Sequence, residues 1–162
     1  MDYSKASDNV SHNILFSKLH ESGGPAILLR FIWFWYLNQN IVVKYEGCLS
    51  SSWKLLSGVR QRGILSPLLF DIHINSMIND ISCSKYGCRL GFFKSNILAY
   101  ANDIVILSPY LFGRQKLLDL CIDKSNKLKL TFNANKSFAM KFSWNKSKSS
   151  MESFKVYLGN NE

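Results

Sequence analysis

The sequence has few of the residues that build disulfide frameworks, zinc sites or membrane anchors. Its four cysteines follow neither a zinc-ligand nor a disulfide spacing, and its three histidines offer no second pair of ligands. Reduced thiols are therefore expected, which suits a cytosolic or nuclear protein. The most apolar window, residues 27–37, contains Arg30 and is too short to span a bilayer, so it predicts a buried helix.

A signal peptide is not expected either. The first residues are polar and charged and do not form an apolar signal core. We expect an intracellular protein, nuclear or cytoplasmic, that is neither secreted nor inserted in a membrane.

Acidic residues are scarce, since 11 Asp and Glu oppose 20 Lys and Arg for a net charge of +9. The excess lies in the second half, where residues 82–162 hold 13 basic and 5 acidic residues, whereas residues 1–81 hold 7 and 6. Residues 124–148 contain seven lysines and no acid. This bias favours a polyanionic partner, nucleic acid before an acidic membrane surface, although a solubilising lysine face explains it equally well.

With 162 residues, 47% of them hydrophobic, the chain is long enough for one domain with a sizeable core. Capping residues and apolar spacing predict helices over 8–22, 25–36, 67–81 and 111–128. Apolar runs predict a hairpin over 97–107 and strands over 41–45, 53–56, 90–93, 138–142 and 154–158. Residues 143–153, rich in lysine and serine, predict a mobile loop. Helices that alternate with strands of one antiparallel sheet indicate an α+β fold.

The predicted hairpin is the most informative stretch. Residues 97–107 read Ile-Leu-Ala-Tyr-Ala-Asn-Asp-Ile-Val-Ile-Leu, two apolar runs around Asn102 and Asp103. A tight turn at this pair predicts two short strands that lift both polar side chains off the core. Taken alone, the pair is simply a good hairpin turn.

Four other blocks accompany the hairpin. They are Asp-Tyr-Ser-Lys-Ala-Ser-Asp at 2–8, Gly-Val-Arg-Gln-Arg-Gly-Ile-Leu-Ser-Pro-Leu-Leu-Phe at 58–70, Leu-Thr-Phe-Asn-Ala-Asn-Lys at 130–136 and Tyr-Leu-Gly at 157–159. Together with Tyr-Ala-Asn-Asp at 100–103, and in this order, they resemble the reverse transcriptase domain of LINE-type non-LTR retrotransposons. The resemblance runs over residues 2–159.

This resemblance implies an RNA-directed DNA polymerase palm, in which an antiparallel sheet packs against helices. Residues 1–162 would form a single fragment of that domain, with incomplete fingers and no thumb. The implied partners are an RNA template, a DNA primer and deoxynucleoside triphosphates, and no membrane. The implied cofactor is Mg²⁺, because nucleotidyl transfer uses two such ions about 4 Å apart, held by ionised carboxylates.

By the same resemblance, Asp2 and Asp103 are the catalytic metal ligands, and Asn102 stands where the family has its principal hairpin aspartate. An amide oxygen can contact Mg²⁺ but brings no charge. One unit charge at about 4 Å, with an effective dielectric of about 20, is worth roughly 4 kcal/mol, or on the order of a thousandfold in rate. We therefore expect the hairpin to survive and the two-metal site to be impaired.

The resemblance also assigns residues to the nucleotide and template side of the site. Gln61 and Gly63 match the family, whereas Arg62 replaces a glycine and would either fill the nucleotide slot or adopt a positive φ. Ser7 replaces a phenylalanine that stacks under the sugar, so discrimination against ribonucleotides should weaken. Lys136 matches a lysine suspected in the family of protonating the pyrophosphate leaving group; alternatively, it belongs to a basic face.

Two expectations concern residues near the start of the sequence. Only Met1 precedes Asp2, so Asp2 should fray and be poorly held, and Asp8 should cap the first helix. The leading hypothesis is a truncated and degenerate reverse transcriptase palm with little or no polymerase activity. A non-catalytic remnant that binds RNA or DNA through its basic half is the alternative, and a relic without a selected role is the third possibility.

Overall fold

The computed structural model describes residues 1–142, so the predicted loop 143–153 and strand 154–158 lie outside the described residues. The chain divides into two compact units. Lys5–Ser76 form one, here called the helical unit. Met1–Ser4 and the chain from Met77 onward form the other, here called the hairpin unit.

Helix α1, His12–Glu21, begins four residues later than predicted. Residues before it form a turn, in which the carbonyl of Lys5 accepts hydrogen bonds from the amides of Asp8 and Asn9 at 3.0 and 3.1 Å. Ser11 is the N-cap residue, and its side chain makes no capping hydrogen bond. The prediction that Asp8 caps α1 is therefore wrong, because the turn separates it from the helix.

Helix α2, Ala26–Leu37, confirms the predicted helix with Pro25 as its N-cap. It packs against α1, where the rings of Phe16 and Trp33 lie 5.0 Å apart between centroids. The expectation of a buried helix is wrong, because Ile32 and Tyr36 are its only two buried residues. Its sequence is apolar all round and so gives no sign of which side is covered.

The strands of the helical unit form two short antiparallel ladders. Strand β1, Asn40–Ile41, pairs with β4, Trp53–Lys54, while β2, Lys44–Tyr45, pairs with β3, Cys48–Leu49. Glu46 and Gly47 connect β2 and β3 with φ of 47° and 84°, as a two-residue turn with positive φ at both positions requires. The predicted strand over 41–45 is thus two strands separated by residues 42–43.

Helix α3, Ser66–Cys83, begins one residue before the predicted start and runs into the hairpin unit. Two ladders follow it: β5, Cys88–Leu90, pairs with β6, Phe93–Ser95, and β7, Ile97–Tyr100, pairs with β8, Asp103–Ile106. The predicted strand over 90–93 is wrong, because Gly91, with φ of 62°, starts a turn there. The ladders are separate two-stranded sheets, so a single continuous sheet is not observed among residues 1–142.

Helix α4, Leu111–Lys127, confirms the last predicted helix, and a 3₁₀ turn follows at Ala134–Lys136. Residues 138–142 carry no strand, contrary to the prediction. Helices with small antiparallel sheets agree with the α+β class. Among the helices of the described part, none has the length and apolarity needed to cross a membrane.

Tyr3 anchors the core of the hairpin unit. Its ring is 3% exposed and stacks on Phe132 with centroids 4.3 Å apart. Its hydroxyl lies 3.0 Å from Oγ of Ser125 and donates to Sδ of Met77 at 3.2 Å. Burial raises the pKa of Tyr3, and these contacts fix the chain immediately after Asp2.

Candidate active site

The tip of the β7–β8 hairpin lies one residue earlier than predicted. Tyr100 pairs with Asp103, so the two-residue loop is Ala101–Asn102, and Ala101 has a φ of 51°. Asp103 consequently begins strand β8 while Asn102 is exposed at the tip. A glycine-like conformation at Ala101 was not evident from the sequence, because alanine seldom adopts it.

Asp2 is held in place by backbone pairing on both sides. It forms an antiparallel bridge with Asp103, and the Ile104 amide donates to the carbonyl of Met1 at 2.9 Å. On the other side, the Asn133 amide donates to the carbonyl of Asp2, also at 2.9 Å. The expectation that Asp2 frays is therefore wrong, since strand-like pairing ties it to two distant segments.

Each oxygen of the Asp2 carboxylate faces a hydrogen-bond donor or a cation. The side-chain amide of Asn102 donates to Oδ1 at 2.9 Å. Nζ of Lys136 lies 3.8 Å from Oδ2, and the Asp2 side chain is only 18% exposed. The three residues come from the start of the chain, the hairpin tip and the 3₁₀ turn.

Asn133 positions the turn that carries Lys136. Its side-chain oxygen accepts from the amide of Asn135 at 3.1 Å, and its carbonyl accepts from the amide of Lys136 at 3.2 Å. Sequence reasoning assigned no role to Asn133, although an asparagine two residues before another asparagine is typical of a local side-chain-to-backbone turn. Lys136 therefore reaches Asp2 from a defined backbone position.

These donors do not fit a pair of Mg²⁺ ions. Mg²⁺ needs oxygen ligands, and an amide N–H or an ammonium beside the carboxylate repels it. Within residues 1–142, no group of three His, Cys, Asp or Glu side chains is arranged to hold a metal ion. At this site the chain has two carboxylates, Asp2 and Asp103, and a neutral amide and a positive charge lie next to the first.

The residues predicted for the nucleotide and template side lie in the helical unit. Nε2 of Gln61 donates to Oδ1 of Asp8 at 3.0 Å. Arg62 has a φ of 60°, which confirms the positive backbone angle that replacing a glycine there was expected to force. Ser7 is half-buried, and its carbonyl accepts from the amide of Val59 at 2.7 Å.

Gly63 is required by close packing rather than by its backbone angle. A Cβ at this position would lie 2.6 Å from Oγ of Ser66 and 3.0 Å from the carbonyl oxygen of Arg60. The first distance is shorter than real Cβ contacts, and the second is tighter than most of them. Ser66 Oγ also donates to the Arg60 carbonyl, so the turn before α3 is closed around Gly63.

A cavity of about 590 Å³ opens beside Gln61 in the helical unit. Its walls include Asp8, Gln39, Asn40 and Gly58. Nε2 of Gln39 is buried there and has no hydrogen-bond partner among the described residues. No pattern in the sequence indicated Gln39, which follows α2 and belongs to none of the five blocks.

The structure thus brings the predicted site residues together in two groups. Asp2, Asn102, Asp103 and Lys136 meet in the hairpin unit, while Ser7, Gln61, Arg62 and Gly63 belong to the helical unit. The model of the family described as reverse transcriptase (RNA-dependent DNA polymerase) matches residues 1–160. The chain belongs to this family. The predicted resemblance is confirmed by a match that includes both groups.

Relatives of this reverse transcriptase chain are Pol polyproteins of R2 retrotransposable elements. It is 29% identical over 140 residues to the retrovirus-related Pol polyprotein from type-2 retrotransposable element R2DM of Drosophila melanogaster, covering 86% of this chain and 13% of that protein. Over 122 residues it is 30% identical to the Pol polyprotein from type-1 retrotransposable element R2 of Nasonia vitripennis, covering 73% and 11%. The corresponding protein of Bradysia coprophila is 28% identical over 138 residues, covering 85% and 16%. The chain therefore spans less than a fifth of these relatives.

Proposed function

We propose that this reverse transcriptase chain is a palm domain that has lost two-metal nucleotidyl transfer. The hydrogen bond from Asn102 to Asp2 is the observation that supports the proposal. Where the resemblance implies a carboxylate that would attract cations, Asn102 instead directs an N–H group, with no negative charge, at Asp2. Asp2 and Asp103 are the remaining ligands of the ancestral Mg²⁺ site.

Lys136 has a second role in this proposal. Its ammonium partly neutralises Asp2 from 3.8 Å, so the carboxylate already has a counter-charge without a metal. Lys136 is 69% exposed, and such an ion pair in contact with water is weak. A lysine that protonates pyrophosphate in an active relative would here be a counter-ion of Asp2.

The ancestral substrates in this proposal are an RNA template, a DNA primer and deoxynucleoside triphosphates. Gln61 and Gly63 are retained on the side that would receive them, whereas Arg62 and Ser7 depart from the family pattern. The strained backbone at Arg62 and the small side chain at Ser7 both reduce the fit of a nucleotide.

A primer-extension assay with MgCl₂ tests this proposal on four chains: the parent, Asn102→Asp, Arg62→Gly and the double variant. We expect no extension by the parent and, at most, weak extension by the double variant. Asn126→Asp is the matched control, because it adds the same charge on an exposed position of α4. Robust synthesis by the parent would show that Asn102 does not abolish the chemistry.

The alternative function, nucleic-acid binding without chemistry, is favoured by the exposed lysines that follow α4. Lys129 and Lys136 are exposed, and no acidic residue occurs over 124–142. Lys124 and Lys127 contribute less, because Asp80 and Asp123 pair with them. Lys127→Glu, Lys129→Glu and Lys136→Glu together should weaken RNA binding and its salt dependence, and unchanged affinity would count against this function.

A further inference from the structure

The β5–β6 hairpin lies outside all five blocks of the family resemblance. Its register pairs Cys88 with Ser95, Arg89 with Lys94, and Leu90 with Phe93. Gly91 and Phe92 form the two-residue connection at its tip. Because side chains alternate along a strand, Leu90 and Phe93 share one face and Arg89 and Lys94 the other.

The apolar side chains at this tip are almost fully exposed. Phe92 is 99% exposed, Phe93 78% and Leu90 70%. A two-stranded ladder is marginally stable in water, and exposed aromatic side chains add nothing to its folding. Three large apolar residues together at the end of such a ladder therefore indicate a contact surface.

The charges of the hairpin indicate what kind of partner this surface fits. Arg89 and Lys94 are directly opposite, and like charges in this position repel each other unless an anion lies between or beside them. Residues 82–102 contain three basic residues and no acid. Within the described residues, no acidic side chain forms an ion pair with Arg89 or Lys94.

Lys94 also keeps part of its hydrogen-bonding capacity. Its Nζ donates to the carbonyl of Cys83 at 3.2 Å, and an ammonium carries three N–H groups. Two donors remain for an external anion. The rings and the cations lie on opposite faces of a ladder only two strands wide, so a chain that passes around its tip meets both. Single-stranded nucleic acids bind to this combination, because phosphates contact the cations and unpaired bases stack on the rings.

We propose that a single-stranded nucleic acid passes around the tip of the β5–β6 hairpin, with bases stacked on Phe92 and Phe93 and phosphates contacted by Arg89 and Lys94 on the opposite face. A duplex fits less well, because its bases are already stacked and paired. A purely anionic protein surface fits less well too, because it offers no flat rings for the phenylalanines. This binding is independent of the metal site at Asp2 and would persist in a chain without polymerase activity.

Fluorescence anisotropy with a labelled single-stranded RNA of mixed sequence tests this on the full chain. Phe92→Ala with Phe93→Ala should weaken binding about tenfold or more, since base stacking carries much of the affinity in such complexes. Arg89→Gln with Lys94→Gln should lower the slope of log affinity against log salt by about 1.4, or about 0.7 for each lost phosphate contact.

Matched controls separate this surface from general basicity. Phe138→Ala removes another exposed phenylalanine, and Lys44→Gln with Lys54→Gln removes two exposed charges in the helical unit. Both should bind as the parent does. The Phe92→Ala, Phe93→Ala variant should retain the parent's urea midpoint, since both side chains are largely exposed.

Three results would overturn the proposal: no binding of the parent to single-stranded RNA, equal affinity of the Phe92→Ala, Phe93→Ala variant and the parent, or equal losses in the controls. Inorganic polyphosphate is a further arm, because it has the charge but no bases. If it displaced the RNA as well as unlabelled RNA does, the aromatic part of the site would be refuted.

Discussion

The side-chain amide of Asn102 donates a hydrogen bond to Oδ1 of Asp2, across 2.9 Å and 100 positions of sequence. Antiparallel pairing of Asp2 with Asp103 brings the two residues together, so the contact follows from the backbone of the site. The residue at the position where the resemblance implies a metal ligand here donates a hydrogen bond to a neighbouring carboxylate. Several measurable consequences arise from this exchange and from the surrounding structure.

Asn102→Asp should make the free energy of unfolding depend on divalent metal ions. Without divalent ions, the new carboxylate loses the hydrogen bond and repels Asp2, which should lower the unfolding free energy by about 1–2 kcal/mol. Added Mg²⁺ should restore stability in the variant but leave the parent unchanged, because a ligand stabilises the state that binds it. Thermal melts with and without MgCl₂ measure this, and Asn126→Asp should show no response.

Lys136→Met, added to Asn102→Asp, should tighten Mn²⁺ binding by a few-fold, because the competing ammonium at Asp2 is removed. The expected gain is small, since an exposed ion pair is worth about 0.2–1 kcal/mol. Isothermal titration of both chains with MnCl₂ measures the difference. Lys116→Met on α4 is the control, and an equal change there would refute a specific role of Lys136.

Arg62→Gly should stabilise the helical unit. Arg62 has a φ of 60°, which costs a non-glycine residue on the order of 1 kcal/mol and glycine very little. Because glycine also loses more entropy on folding, we expect a net gain of about 0.5 kcal/mol. Urea titration measures it, and Arg60→Gly, where φ is not positive, should instead destabilise.

Asn96→Asp should be among the most destabilising changes in the hairpin unit. Nδ2 of Asn96 is within 2.7–3.1 Å of the carbonyls of Ile81, Ser82 and Ser84, and so caps the end of α3 from inside the protein. A buried carboxylate facing these oxygens should cost about 3 kcal/mol or more. Circular dichroism in urea measures the loss, whereas Asn79→Asp on the exposed side of α3 should stay within about 0.5 kcal/mol.

Stability should fall above pH 9 because of Cys121. Burial raises the pKa of this thiol to about 12 from its ordinary value of 9.0. Below pH 9 the thiol is protonated in both the folded and the unfolded state, so its contribution to the free energy of unfolding is fully present. Between pH 9 and 12 only the unfolded state releases the proton, and this contribution is lost.

Over that range the unfolding free energy should lose up to about 1.4 kcal/mol per pH unit from this group. Urea midpoints measured from pH 7 to 11 should decline less steeply in Cys121→Ala than in the parent. Cys83→Ala, at an exposed position, should follow the parent. Parallel declines in all three chains would assign the effect to other groups.

Local sequence patterns predicted most of the helices and the β7–β8 hairpin. Several errors arose where contacts between segments far apart in sequence determine the structure. Proline, capping and spacing located α2, α3 and α4, and two apolar runs around a polar pair located the β7–β8 hairpin. The start of α1 was missed because a turn centred on Lys5 competes with the helix. The exposure of α2 and the capping role of Asn96 depend on segments far away in sequence, which periodicity does not reveal.

The predictions for the candidate active site divide in the same way. The motifs identified Asp2, Asn102, Asp103 and Lys136 as neighbours, since family position carries that information. Three features could be seen only in the structure: the orientation of the Asn102 amide, the position of Asn102 in the loop and the backbone pairing of Asp2. For Arg62, the resemblance left two outcomes open, a filled nucleotide slot or a positive φ, and the structure shows the positive φ.

Residues Met1–Ser4 pair through their backbone with two segments, β8 on one side and residues 131–133 on the other. Ile104 pairs with Met1 on one side, and the amides of Ser4 and Asn133 pair with Thr131 and Asp2 on the other. If this segment left its place, the backbone edges that it pairs with on both sides would lose their hydrogen-bond partners. An extended segment of another molecule would pair with both edges, so release of residues 1–4 would make this unit an acceptor for strand exchange.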